Sequence, residues 1–239
     1  MRKGKIQKDI KMPSMTKIRL FRRLLLGWYK NNGRIFPWRN KSATNYELII
    51  AEILLQRTRA ETVAEFYKDF VKRFPSWKKL AAARERDLSV FLRPIGLWRR
   101  RSRSLRLLAN LISRRNGKFP RHREEINALP GVGQYIANAV LLFCYQKPQP
   151  LLDINMARVL ERVFGPRKLS DIRYDPYLQY LSSIAVKCRK PRELNWAVLD
   201  LAAIICKDNE PRCNNCPLKI ICSYRRKTIT YKSKSGLLK

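Results

Sequence analysis

Between residues 18 and 29, apolar side chains return every three or four positions among arginines, the spacing of one buried helical stripe. The same period predicts helices over residues 45–57, 61–74, 85–92, 102–115, 123–129, 134–145, 155–164 and 193–206. Thr44, with Glu47 three positions later, has the form of a capping box that opens the helix at 45–57. That helix is apolar on nearly every side: Leu48, Ile49, Ile50, Ala51, Ile53, Leu54 and Leu55. A helix without a polar face belongs at the centre of a core. Pro75, Pro94, Gly96, Pro120 and Pro130 punctuate the pattern, and Gly165-Pro166 stops the stretch before it. No stretch alternates with the period of a strand, so the expected fold class is all-α.

Composition adds a partner. The chain has 239 residues, 45% of them hydrophobic, enough for a real core in one large domain or two small ones. Lys and Arg number 52 against 18 Asp and Glu, a net charge of +34. Such a surface repels itself unless a polyanion neutralises it. Nucleic acid is the first candidate and an anionic membrane surface the second. No apolar run approaches the roughly 20 residues of a membrane-spanning helix. Residues 1–11 are basic without an apolar stretch or cleavage site, which is not the form of a secretory signal. An intracellular protein of the cytoplasm or nucleoid is expected, neither secreted nor membrane-bound. Residues 1–13 read as a basic flexible arm and 225–239 as a basic tail. The single histidine, His122, excludes multi-histidine zinc sites and histidine-based triads with a separate histidine orienter.

Four places carry chemistry. Cys206, Cys213, Cys216 and Cys222 have the spacing C-x6-C-x2-C-x5-C. Four soft thiolates so close in sequence suit a thiophilic metal. The uneven spacing suits a [4Fe-4S] cluster, with a zinc ribbon as the alternative. Cys144 and Cys188 lie apart and read as ordinary buried thiols. Leu129-Pro130-Gly131-Val132-Gly133 separates two helical stretches. It is either a plain helix–helix turn or a turn whose backbone N–H groups meet a phosphate. Glu52 stands mid-helix among apolar neighbours. Burial there raises a carboxyl pKa, so Glu52 is a candidate general acid or water-positioning group, or else the partner of a buried arginine. Asp153 precedes a helix, as an N-cap or as an anion aimed at a developing cation. Finally, residues 93–115 hold eight arginines and no acid, with Trp98 near the start. This is either a DNA-facing surface or a solvated helix face.

Taken together, these features resemble the endonuclease III superfamily, the helix-hairpin-helix DNA glycosylases with an iron–sulfur loop. The resemblance rests on Gly33-Arg34 through Pro37-Trp38, Ala51-Glu52 through Gln56-Arg57-Thr58, and Ile95-Gly96-Leu97. It continues through Leu129 to Tyr135, Asp153 with Arg158-Val159-Leu160, and the four cysteines, from about residue 20 to 224. It implies two helical domains flanking a DNA-binding cleft. Residues 43–150 would form a six-helix domain with the hairpin at 129–133, and residues 14–42 with 151–224 the iron–sulfur domain. The target nucleotide would be flipped out and its N-glycosidic bond cut. Asp153 matches the aspartate that stabilises the oxocarbenium-like sugar.

The resemblance also implies a subfamily. Where bifunctional members hold a lysine that forms a Schiff base, this chain holds Tyr135, and a phenol cannot form one. That implies a monofunctional enzyme. Glu52 matches a glutamate of both the adenine-specific and the thymine-mismatch branches, and Tyr135 looks like the thymine/uracil–guanine mismatch glycosylases. Gln56 and Arg57 match the wedge that fills the gap, and arginine bonds guanine in bidentate fashion. A pyrimidine in a G·T wobble is also cheaper to unpair than one in a good pair. Trp98 and Arg99 stand where adenine-specific members carry a Gly-Tyr-Tyr type wedge; Trp98 is an intercalator or a core aromatic. Gly131, Val132 and Gly133 would hold the DNA backbone, and the four cysteines a [4Fe-4S] cluster. The same-class alternative is an adenine glycosylase, whose usual C-terminal domain has no room after the last cysteine. A different-class alternative is a non-catalytic DNA-binding relative. The expected partner is duplex DNA with a G·T or G·U mismatch, bound by a monomer, with abasic-site processing enzymes downstream.

The charge generates a first prediction. The logarithm of duplex affinity should fall with the logarithm of salt concentration at about 0.9 per phosphate neutralised, with several phosphates engaged. Titration of a labelled duplex at stepped salt measures the slope, and a nearly flat response refutes a DNA-facing arginine segment.

Overall fold

The computed structural model describes residues 13–226, and those residues contain helices and no strand. The all-α expectation is borne out. The basic arm and tail lie outside the described residues except at their inner ends. The helices are α1 (Met15–Asn32), α2 (Asn45–Leu55), α3 (Ala60–Arg73), α4 (Trp77–Ala81), α5 (Glu85–Phe91) and α6 (Trp98–Arg114). They continue with α7 (Arg123–Asn127), α8 (Gln134–Tyr145), α9 (Ile154–Phe164), α10 (Pro176–Val186) and α11 (Pro191–Ile204). None is long and apolar enough to cross a membrane.

The structure adds α4, whose five residues are too few to show a helical period, and two further differences have local causes. Helix α6 begins at Trp98 rather than at 102, because its first turn is Trp-Arg-Arg-Arg and carries no apolar period. Helix α10 was not anticipated. Its start signal is nonetheless present, since Asp175 accepts from the Leu178 N–H as N-cap and Pro176 occupies the first turn.

The chain forms two compact units. Among the described residues, one takes 13–34 together with 148–226. Its core gathers Phe21 and Leu25 of α1, Leu160 and Val163 of α9, Leu178 and Leu181 of α10, and Leu194, Val198 and Leu201 of α11. Just beyond α1, Arg34 donates its backbone N–H and its Nε to the two oxygens of Asp200, each at 2.8 Å. The Asp200 side chain is fully buried on α11, so this pair ties the entry of the unit to its last helix.

The other unit spans residues 35–147. Helix α2 is its axis, with Leu48, Ile49, Ile50, Ala51 and Leu54 buried on all sides between α3 and α8. The capping box at its start is complete: the Glu47 N–H reaches Thr44 Oγ1 at 3.2 Å and the Thr44 N–H reaches Glu47 Oε2 at 2.7 Å. Phe36 stacks on Trp38 with ring centroids 4.8 Å apart, and Trp38 meets the edge of Tyr67 at 5.4 Å, which fixes residues 36–38 in this unit. Helices α4 and α5 pack on α6.

Asp200→Ala leaves the Arg34 guanidinium without its buried acceptor, and should cost about 3–5 kcal/mol of stability. Denaturant unfolding followed by far-UV circular dichroism measures this. An unchanged midpoint refutes the pair as the tie across the unit.

Candidate functional site

Glu52 is 3% exposed near the C-terminal end of α2. Its neighbours along the helix are apolar, so its charge must be met from another element. That element is α8: Tyr135 in its first turn donates its hydroxyl to Glu52 Oε2 at 2.7 Å. The two residues are 83 positions apart in sequence. The structure therefore brings two of the three candidate catalytic residues together as a phenol–carboxylate pair.

The turn before α8 makes this placement. Gly131 has φ +74°, a left-handed backbone that suits glycine. A side chain there would place its Cβ 2.9 Å from the Cβ of Ser104 on α6. Gly131 and Gly133 are exposed. The Val132 side chain is buried and its N–H is given to the Leu129 carbonyl at 3.2 Å, which closes the turn.

Asp153 lies in the other unit as the N-cap of α9, accepting the Met156 N–H at 2.8 Å. Its other oxygen accepts from Asn155 Nδ2 at 2.7 Å. Burial raises its pKa above the ordinary carboxylate value, against the lowering effect of the hydrogen bonds from Met156 and Asn155. Support extends outward from it. Arg158 donates to Asn155 Oδ1 at 3.2 Å and to the Cys206 carbonyl at 2.9 Å, linking the aspartate's neighbour to the start of the cysteine loop. Buried Asn195 accepts the Leu151 N–H at 2.7 Å and donates to the carbonyls of Gln149 and Pro191. This pins the segment that delivers Asp153.

Two loops stand next to each other beyond α2. Gln56 and Arg57 are exposed, and Arg57 has φ 58°. Leu97 is 49% exposed with φ 51°, after Gly96 at φ 72°. An apolar side chain on a left-handed backbone in water is costly on both counts. The Arg93 and Arg99 guanidinium groups lie over the ring of half-buried Trp98, 5.3 and 4.6 Å from its centroid. The arginine segment is not one uniform face. Arg101 is buried, and Arg106 and Arg115 approach Glu85 and Glu125 at 3.7 and 3.8 Å.

Among the described residues, no three His, Cys, Asp or Glu side chains close into a metal-holding group. The four cysteines are nonetheless neighbours. The Cys216 thiol is pushed up to about 11, first by burial and then in part by Cys206, Cys222 and Cys213 beside it. Arg162 braces the loop through the Lys207 and Asp208 carbonyls and lies 3.5 Å from the Cys206 sulfur. Four clustered thiols without an acidic neighbour among those influences are a soft donor set that fits an iron–sulfur cluster by its chemistry. Cys144 and Cys188 are half-buried rather than buried.

Residues 50–175 match the family described as HhH-GPD superfamily base excision DNA repair protein. The chain belongs to that superfamily. The HhH-GPD chain is 38% identical to the thymine-DNA glycosylase of Aeropyrum pernix, over 87% of its own length and 95% of the relative's. It is 36% identical to the thymine/uracil-DNA glycosylase of Pyrobaculum aerophilum, over 83% and 88% of the two chains. The solved structure of a thermostable thymine-DNA glycosylase superposes with a TM-score of 0.81 at 31% identity, covering 89% of this chain and 98% of that one.

Sequence reasoning missed Asn195, the buried role of Arg101 and the exposure of Leu97. Asn195 and Arg101 hold segments far away in sequence, and no local pattern marks such a partner. Leu97 had a signal, since a leucine directly after a glycine in a loop has little chance of a helical stripe.

A raised pKa on Asp153 has a definite sign for folding. The folded state binds the proton more tightly, so the wild type loses stability as pH rises from the ordinary carboxylate value through the raised one. Asp153→Asn keeps a capping oxygen and should lack that loss, whereas Asp153→Ala should lose about 1 kcal/mol with the cap. Unfolding midpoints of the three proteins across that pH range check this, and parallel curves for wild type and Asp153→Asn refute it.

Proposed function

We propose that this protein is a monofunctional DNA N-glycosylase that removes thymine or uracil mispaired with guanine and leaves an abasic site. The observation that carries the reading is the 2.7 Å hydrogen bond from the Tyr135 hydroxyl to Glu52. A phenol already donating to a carboxylate offers no amine to attack C1′, so the enzyme works by hydrolysis.

In this reaction the bond between C1′ and the base nitrogen breaks, and its electron pair leaves with the base. The sugar becomes cationic, and Asp153, fixed by the Met156 and Asn155 hydrogen bonds, stabilises it. Water then adds to C1′ and gives up a proton, which ends on the departing base anion directly or by way of the Glu52 carboxylate. Glu52, oriented by Tyr135, positions that water or supplies a proton to the departing base. Gln56 and Arg57 fill the place of the extruded nucleotide, and Arg57 reads the guanine left behind. Exposed Leu97 serves as an apolar wedge between base steps. Trp98, with Arg93 and Arg99 over its ring, and the exposed hairpin glycines Gly131 and Gly133 hold the DNA backbone.

Cys206, Cys213, Cys216 and Cys222 are the residues that would hold a [4Fe-4S] cluster. Such a cluster, when bound, supplies iron–thiolate bonds that fix the loop. The enzyme acts as a monomer, and its abasic product requires a downstream processing step.

Single-turnover cleavage of duplexes carrying G·T, G·U, G·A and 8-oxoguanine·A tests the reading, each with and without alkali. Strand breaks at G·T and G·U only after alkali are expected, and borohydride should trap no covalent complex. Asp153→Asn should lose about 100- to 1,000-fold in rate while keeping duplex affinity. Cutting confined to adenine-containing pairs overturns the substrate assignment, strand breaks without alkali overturn monofunctionality, and no cutting of any duplex favours a non-catalytic binder.

A further inference from the structure

Residues 93–115 contain eight arginines, and Arg101 alone among them is buried, at 6% exposure. Burying a guanidinium is expensive, so its contacts should show what a neutral side chain could not provide. One end of its fork, Nη1, donates to the carbonyls of Ile95 at 3.0 Å and Gly96 at 2.9 Å. The other end, Nη2, donates to the carbonyls of Leu54 at 3.4 Å and Gln56 at 2.8 Å, and to Thr58 Oγ1 at 3.3 Å. All five acceptors are neutral, and they fall into two groups. One group is the loop that ends in Leu97; the other is the end of α2 and the loop that presents Arg57. The Thr58 hydroxyl closes the arrangement by donating to the Ile95 carbonyl at 3.1 Å.

Both loops carry residues in the left-handed region, Arg57 on one side and Gly96 and Leu97 on the other. Strained backbone persists only where the surroundings hold it. A planar fork with donors on both ends can hold two loops at once. A lysine ammonium delivers its three donors from one point and cannot span both groups.

We propose that Arg101 is a positioning residue that joins the 56–58 and 95–97 loops into a single wedge, so that Gln56, Arg57 and Leu97 enter the DNA stack together and extrude the base in one step. The proposal rests on the reading of these loops as the DNA wedge. It separates extrusion from bond cleavage. Loss of Arg101 should therefore slow attack on a paired base, and leave attack on an already unpaired base nearly unchanged.

The test compares Arg101→Lys and Thr58→Val with wild type on two single-turnover substrates. One has uracil opposite guanine, and the other has uracil unpaired in a small bubble. A 2-aminopurine beside the mismatch reports insertion of the wedge without any cleavage. Arg101→Lys should cut the G·U duplex about 10- to 100-fold more slowly, cut the bubble near the wild-type rate, and lose the 2-aminopurine brightening. Thr58→Val, which leaves the buried guanidinium its four carbonyl acceptors, should show the same pattern more weakly and decides the matter if Arg101→Lys does not fold. Equal slowing on both substrates reveals a merely structural arginine and overturns the proposal, as does wild-type behaviour of both variants. Failure of the substrate reading looks different. Wild type would then cut neither uracil substrate, and the 2-aminopurine signal still tests the coupling. Absence of that signal with wild type overturns the wedge and the proposal with it.

Discussion

A helix without a polar face has to be surrounded, and α2 imposes that requirement on the unit that contains it. Helices α3 and α8 cover it, and the capping box fixes where it starts. Two consequences follow for the chemistry. Glu52, carried into the interior by its apolar neighbours, needs a donor from outside the helix, and Tyr135 in the first turn of α8 supplies it. The C-terminal carbonyls of α2 also need donors, as those of every helix do, and Arg101 reaches Leu54 and Gln56 from α6. The pair that carries the proposed hydrolysis and the loop proposed to enter DNA thus both depend on how α2 is packed.

The charge imbalance is sharpened by how the few acids are used. Asp200 is buried against Arg34, and Glu52 against Tyr135. Asp175, also buried, accepts three backbone N–H groups, from Lys168, Leu169 and Leu178. Burial alone would raise the Asp175 pKa, yet those hydrogen bonds hold it below the ordinary value. Carboxylates committed to internal donors cannot neutralise surface cations. A family of proteins that works on a polyanion tolerates this, because the phosphates complete the neutralisation.

Asp153 shows why a bland role and the proposed chemical one need not compete. It is the N-cap of α9, as its position before an apolar stretch suggests. The same cap hydrogen bonds hold the carboxylate in one orientation while burial keeps its pKa raised. Asn155 and Arg158 then connect it to the cysteine loop, and Asn195 anchors the segment before it. The capping contact gives rigidity, and rigidity is what an electrostatic stabiliser requires.

The helices were legible because a helical stripe repeats within seven or eight residues and its caps are within three. The all-α class, the central place of α2, the capping box, the turn at residues 129–133 and the grouping of four cysteines all follow from such short-range patterns. Helix α10 carried a readable start in Asp175-Pro176. What lay beyond the sequence was which charged side chain goes inside. Arg101 looks like its arginine neighbours, and Val132 looks like part of an exposed hairpin. Their fates depend on carbonyls and side chains brought from 40 or more positions away in the first case, and on the turn closing over Leu129 in the second. Local periodicity determines which elements form and which face is apolar. Only tertiary packing decides where a cation finds enough acceptors to be buried, because desolvation and hydrogen bonding are settled by neighbours in space.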